Sequence, residues 1–310
     1  MTSTRGRGPS DAPHPSPSPG LWSMPYAALL SGVVLFGSGG LFVRSISAPY
    51  MTILVLRMWL ATASTFTFAR SMGSRVDLAV VRTMTPAGLA FVVSNGLGIV
   101  SIHETSVANA SLINALMPVM LAIGAWIAFR ERLSPRQLGF GVISLSGVVM
   151  VVLGAASTAG ATLSGDLIAV VAMVVFSGYM LIIKDLRTKN TVPTMAALAG
   201  LFFVGAIVST PIALVRGLEL SSLDAKDWLQ MAGLVLLPGT AGHFLVTWAQ
   251  RHVAVTVVGL CQLLAVVFTA LGGWVCFGQE LTGLQMLGGA VVLAGLGGVL
   301  LSQNAAQARR

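Results

Sequence analysis

Ten apolar stretches of about 20 residues succeed one another between residues 24 and 302, and they decide what this chain can fold into. A helix of about 20 apolar residues is what a hydrocarbon core about 30 Å thick requires. Only 9% of the 310 residues are charged, against roughly 25% in a soluble domain. A surface facing water could not be covered with so few charges, so lipid must be the main solvent. In lipid every backbone N–H and C=O needs an internal partner, which leaves helices as the way to use such stretches. The expected fold is an all-α polytopic membrane protein. Its ten transmembrane helices are placed at 24–43, 50–69, 86–103, 108–129, 137–155, 165–184, 195–215, 228–248, 253–277 and 284–302. The ninth is long enough to tilt or to contain a break. The loops are short, which leaves no extramembrane domain.

Residues 1–23 are a different polymer. Five prolines lie among serines between Gly8 and Gly20, and such a segment cannot bury enough apolar surface to order itself. It is expected to be a disordered cytoplasmic tail, with 303–310 a short second tail. It does not look like a cleaved signal peptide, because the apolar run that follows is too long and more spans come after it. The net charge is +8, yet no basic face or aromatic stacking platform appears, so nucleic acid is not an expected partner. The basic residues instead read as orientation signals in loops. With the N-terminus inside, fourteen of the eighteen Lys and Arg residues fall on the cytoplasmic side. Arg44, Arg216 and Lys226 fall outside, and Arg57 lies within a span. A multi-pass protein of the cell membrane with both termini cytoplasmic fits that split.

An internal repeat is visible. Glu131-Arg132-Leu133-Ser134 is followed by Gln137, Gly141 and Gly147; Glu280-Leu281-Thr282 is followed by Gln285, Gly289 and Gly295. Trp126 and Trp274 precede the two glutamates at nearly equal distance, and Phe36 and Arg44 correspond more weakly to Phe176 and Lys184. The first repeat is placed at 24–155 and the second at 156–302. Each holds five spans, an odd number, so the second enters the membrane upside down. Inverted repeats of this kind build many secondary transporters, with the substrate near the midplane between the halves.

The sequence resembles the EamA-type transporters of the drug/metabolite transporter superfamily. The resemblance covers about residues 24 to 302. It rests on Thr105-Ser106-Val107-Ala108-Asn109-Ala110-Ser111-Leu112, on Pro118, and on Phe129-Arg130-Glu131-Arg132-Leu133. Phe277-Gly278-Gln279-Glu280-Leu281 in the second half, and Leu56-Arg57 with Ala61, also fit. The resemblance implies two five-helix repeats around a cavity that opens alternately to each side, and transport of amino acids, related metabolites or drugs. Val267 stands where many relatives carry a second-half proline, and Gly37-Ser38-Gly39-Gly40 replaces a more usual Trp-Gly.

Polar residues inside the spans are the candidates for a substrate path. Arg57 costs about 2.5–3.5 kcal/mol to insert at a helix centre. It would either meet an anionic group such as a carboxylate, or snorkel and bond helix carbonyls. His243 follows Pro238-Gly239, where a kink frees backbone groups. Asn95, Asn109, Asn114 and Gln262 join the cavity set, each with helix–helix hydrogen bonding as its alternative use. Glu131 and Glu280 close corresponding spans on opposite faces as gate or boundary carboxylates. Ala290, Ala294 and Gly298 form a small-residue stripe on the last span, suited to packing within the bundle or to a homodimer contact.

Cys261 and Cys276 are read as reduced and apolar, and no spacing of Cys or His suggests a metal site. No cofactor is expected, and an enzyme is not. The competing functions are an intramembrane enzyme, which would need a nucleophile–base set or metal ligands in the bilayer, and a passive receptor or assembly subunit. The expected partners are a small-molecule substrate and the lipid bilayer.

Overall fold

The structure, a computed structural model, describes residues 24–105, 110, 113–155, 162–189, 192–221, 223–278 and 280–307. Residues 1–23, expected to form a tail, lie outside the described residues. Ten helices follow in order among the described residues. They are α1 (Met24–Ser45), α2 (Tyr50–Ser71), α3 (Leu78–Glu104), α4 (Met117–Phe129), α5 (Pro135–Ala155), α6 (Leu163–Lys189), α7 (Thr194–Arg216), α8 (Ala225–Ala249), α9 (Val255–Phe277) and α10 (Gly283–Gln307). Nine of them are long and apolar enough to cross a bilayer, and α4 belongs to a shorter apolar helix, Ile113–Phe129. Large apolar side chains such as Ile127, Val215 and Val275 stand exposed around the outside. In water so much exposed apolar area would drive association; in lipid it is the expected surface.

α3 starts earlier than the hydropathy suggests. The Asp77 carboxylate accepts from the Val80 N–H at 2.9 Å and caps the helix, so Pro86 sits inside it rather than in its first turn. At 1.5 Å per residue its 27 residues span about 40 Å, more than the hydrocarbon core alone.

The repeat is written into the local chemistry. Before α5, Ser134 N–H donates to Gln137 Oε1 (2.8 Å) and Gln137 N–H to Ser134 Oγ (3.3 Å). Before α10, Thr282 and Gln285 make the same reciprocal pair at 2.9 and 3.2 Å. Each is a capping box, satisfying two orphan N–H groups at a helix start. The helices that precede them also end alike. Arg130 (φ 57°) and Gly278 (φ 63°) both adopt the left-handed conformation, and their N–H groups reach back to Trp126 O and Trp274 O.

Tertiary packing repeats as well. If each helix of the first five is exchanged for its counterpart in the second, the principal pairs map onto one another. α3 on α6 becomes α8 on α1, and α1 on α9 becomes α6 on α4; α5 on α10, α2 on α7 and α4 on α9 map onto themselves. The tightest contact, α5 on α10, is made by glycines. A Cβ on Gly147 would lie 2.7 Å from Gly288 O, and one on Gly295 would run into Ser144 Oγ. The stripe expected on α10 is thus rotated away from this contact. Ala290 and Ala294 are exposed, and the packing face is Gly288, Val292, Gly295 and Val299. Gly298 does pack inward, against Phe140.

Candidate functional site

The centre of the bundle is shaped by an irregularity in α8. The helix starts soundly: Asp227 N–H donates to Asp224 Oδ1 at 2.7 Å. The buried Asp227 carboxylate also accepts from Ser47 N–H at 2.9 Å, tying α8 to the α1–α2 link. Pro238 then removes a donor and crowds the carbonyl four residues back. The ladder shifts to π register over Val235–Gly242, the kind of local rearrangement that recurs at functional sites. Within it Thr240 Oγ1 shares a 2.8 Å hydrogen bond with Ser64 Oγ of α2.

His243 emerges at the end of this π segment. Its ring packs among Phe36 of α1, Phe91 of α3 and Phe202 of α7, with centroids at 4.7, 5.2 and 5.5 Å. Beside it opens a cavity of about 250 Å³, walled by α1, α2, α3, α6 and α8. Its polar side chains are Arg57, Asn95 and His243; Phe36, Phe91, Phe176 and Pro238 supply apolar wall. Between Phe36 and Val43 the α1 wall is bare backbone: a Cβ on Gly40 would meet nothing within 4 Å. The unusual glycine run in the first span therefore makes room.

Arg57 has no hydrogen bond or ion pair among the described residues, and its buried Nε lacks a partner. Among the described residues no helix carbonyl satisfies it, so it does not tie two helices here. The Asn95 amide donates to Phe91 O at 2.8 Å, which fixes its orientation within α3.

Toward the α6–α7 end the bundle is filled. Tyr179, Phe202, Leu198, Met84 and Ile183 are fully buried there. Lys184 Nζ donates to Gln250 O (2.8 Å) and Val253 O (3.0 Å), fastening α6 to the link between α8 and α9. Arg187 bonds Val192 O and Thr194 Oγ1. The cavity thus lies in the half of the bundle toward the α1–α2 link, and the described residues fill the other half.

The remaining candidates are placed elsewhere. Gln262 is buried in α9, outside this cavity's lining. Asn114 is exposed, and Asn109 lies outside the described residues. Glu131 is half-buried in the α4–α5 link, its Oε2 unpartnered among the described residues. Glu280 is exposed and borders a separate cavity beside Trp274. The two glutamates therefore stand at corresponding places but in different surroundings. Among the described residues no three His, Cys, Asp or Glu side chains converge as a metal site, and Cys261 and Cys276 are free thiols.

The sequence profile of the EamA-like transporter family matches residues 23–153 and again residues 163–301. The chain belongs to the EamA-like transporter family. The two matched segments are the two five-helix halves seen in the packing. This EamA-family chain is also similar to an uncharacterized transporter of Archaeoglobus fulgidus, with 25% identity over 276 residues that cover 87% of this chain and 94% of the relative. Its fold is similar to that of a protein known from a crystal structure, with a TM-score of 0.78 at 18% identity, covering 90% of this chain and 97% of the other. At that identity the likeness speaks to fold alone. The EamA-family chain is a multi-pass membrane transporter.

Proposed function

We propose that the protein carries compact metabolites bearing an anionic group, such as amino acids and related amphipathic compounds, by alternating access through the central cavity. The carrying observation is the Arg57 guanidinium, which sits in the cavity wall with a buried Nε and no internal counterion. A carboxylate is the group that matches its planar fork. Asn95 and His243 add hydrogen-bonding capacity, and the phenylalanines add an apolar wall for a side chain. A volume of about 250 Å³ is roughly eight water volumes, which suits a metabolite better than a multi-ring drug. The charge split across the loops supports cytoplasmic termini in the cell membrane.

The test is a panel of amino acids and carboxylic acids, read by thermal stabilisation of the purified protein and by flux in proteoliposomes. A hydrogen-bonded charge pair contributes about 1.5–3 kcal/mol, so Arg57→Ala should weaken the binding of a hit roughly 10- to 150-fold. Arg57→Lys should recover little of it. Cationic substrates carried equally well by wild type and Arg57→Ala would refute the proposal.

A further inference from the structure

Two more cavities open sideways from the bundle, and the repeat relates them. The first, about 260 Å³, lies between α4, α5 and α9, with Leu133, Leu138 and Gly141 in its wall. The second, about 690 Å³, lies between α5, α9 and α10, with Leu281, Met286 and Gly289 at the matching places. The shift that carries Ser134–Gln137 onto Thr282–Gln285 also carries one wall onto the other.

The mouths differ in charge. The first cavity is lined only by Ala, Pro, Val, Ile, Leu and Gly. The link beside it carries Arg130, Arg132 and Arg136, all exposed and flanking Leu133. The left-handed Arg130, the Ala125 O–Glu131 N hydrogen bond (3.2 Å) and the Ser134–Gln137 capping box hold this link in one shape. None of the three arginines has an internal counterion, since the ion pair among the described residues is Lys189–Asp185. Glu131, the carboxylate of the same link, turns its Oε2 into a buried position instead. At the second mouth stands Glu280, and residues 277–285 contain no Lys or Arg.

An apolar cavity offers water no partners and favours an apolar occupant, while clustered arginines at a helix end attract anionic headgroups. We propose that the α4–α5–α9 cavity is a binding site for an anionic phospholipid, with an acyl chain along the apolar wall and the phosphate against Arg132 and Arg136. The second cavity, similar in wall but acidic at its mouth, repels the same lipid and serves as the internal control.

Native mass spectrometry with dioleoylphosphatidylglycerol and dioleoylphosphatidylcholine tests this. The wild type should retain the anionic lipid about 30-fold better than the neutral one, from roughly fivefold per arginine at an anionic surface, and R132Q/R136Q should bring the two lipids to parity. Ala122→Phe, which fills the groove, should lower retention of both lipids. Glu280→Gln should lower retention of neither lipid, and excess inorganic phosphate should leave the bound lipid in place. Equal retention of the two lipids by wild type, an anionic preference that survives R132Q/R136Q, or full retention by Ala122→Phe would each overturn the proposal. If the double variant fails to fold, the wild-type comparison and Ala122→Phe decide it.

Discussion

Gly147→Ala probes the contact on which the two halves meet most closely. The new Cβ would stand 2.7 Å from Gly288 O, 2.7 Å from Val292 N and 2.9 Å from a Val292 methyl. Ordinary contact starts at 3.4 Å, so α5 and α10 must part by roughly 0.7 Å. Two of the obstructing atoms are backbone, and no rotamer change relieves them. Parting the helices stretches the Ser144–Val292 and Thr282–Gly154 hydrogen bonds, each already 3.3 Å, and loosens Val148, Val292 and Val299, which are fully buried. Overpacking of this kind costs about 1–3 kcal/mol, and the better helix propensity of alanine returns about 1 kcal/mol. The net loss should be about 0–2 kcal/mol, or at most roughly 3 °C in Tm for a chain of this size. Gly139→Ala is the control: it lies on the same helix, and its Cβ would meet nothing within 4 Å. It keeps the propensity gain without the clash. Both variants would be melted in detergent alongside wild type and followed by tryptophan fluorescence. Gly147→Ala melting at or above Gly139→Ala would refute the close-approach account.

Lys184→Met keeps the apolar stem but leaves the Gln250 and Val253 carbonyls without their shared donor; loss of the two charge-assisted bonds should cost about 3–6 kcal/mol, and an unchanged Tm would count against the fastening. His252 lies in the α8–α9 link, where burial first, and then Arg251, Lys184 and Arg187, hold its imidazole below the usual range. The unfolded chain therefore takes up the proton more readily, and the stability due to neutral His252 declines as pH falls below about 6.5. His252→Gln should flatten the wild-type loss of Tm between about pH 7.5 and 5; parallel curves for the two proteins would dismiss the effect.

What could be read from the chain follows from its solvent. Ten spans are legible because hydrocarbon demands length, and the repeat is legible because capping chemistry at Ser134–Gln137 and Thr282–Gln285 is local. Arg57, Asn95 and His243 could be singled out because each interrupts an apolar span. Which of the six cavity candidates share one cavity could not, since α2, α3 and α8 meet only through packing. Which way an apolar residue points is hidden for a further reason. Both the lipid-facing surface and the interior are apolar, so the helices carry almost no amphipathic signal. Phe36, Phe91 and Phe202 around His243 look in sequence like Phe68, which is exposed. The same blindness hides the difference between exposed Asn114 and buried Gln262, and between the outward Ala290 and the inward Gly288. The π register of α8 is half legible: Pro238-Gly239 announces a disturbance, but not the rotation that aims His243 at three aromatic rings.

The exchange of five helices for five bears on energetics. Where every surface has a twin, an arrangement open at one end and its mirror image differ in free energy only through positions at which the twins are unlike. Lys184 is clasped on two carbonyls while its twin, Arg44, lies over the Phe277 ring at 5.2 Å. Pro118 has Val267 as its counterpart, and the basic link at 130–136 corresponds to an acidic one at Glu280. Under the alternating access proposed above, a few such mismatches would suffice to tilt the balance of populations, and they can change without disturbing the glycine seam that joins the halves.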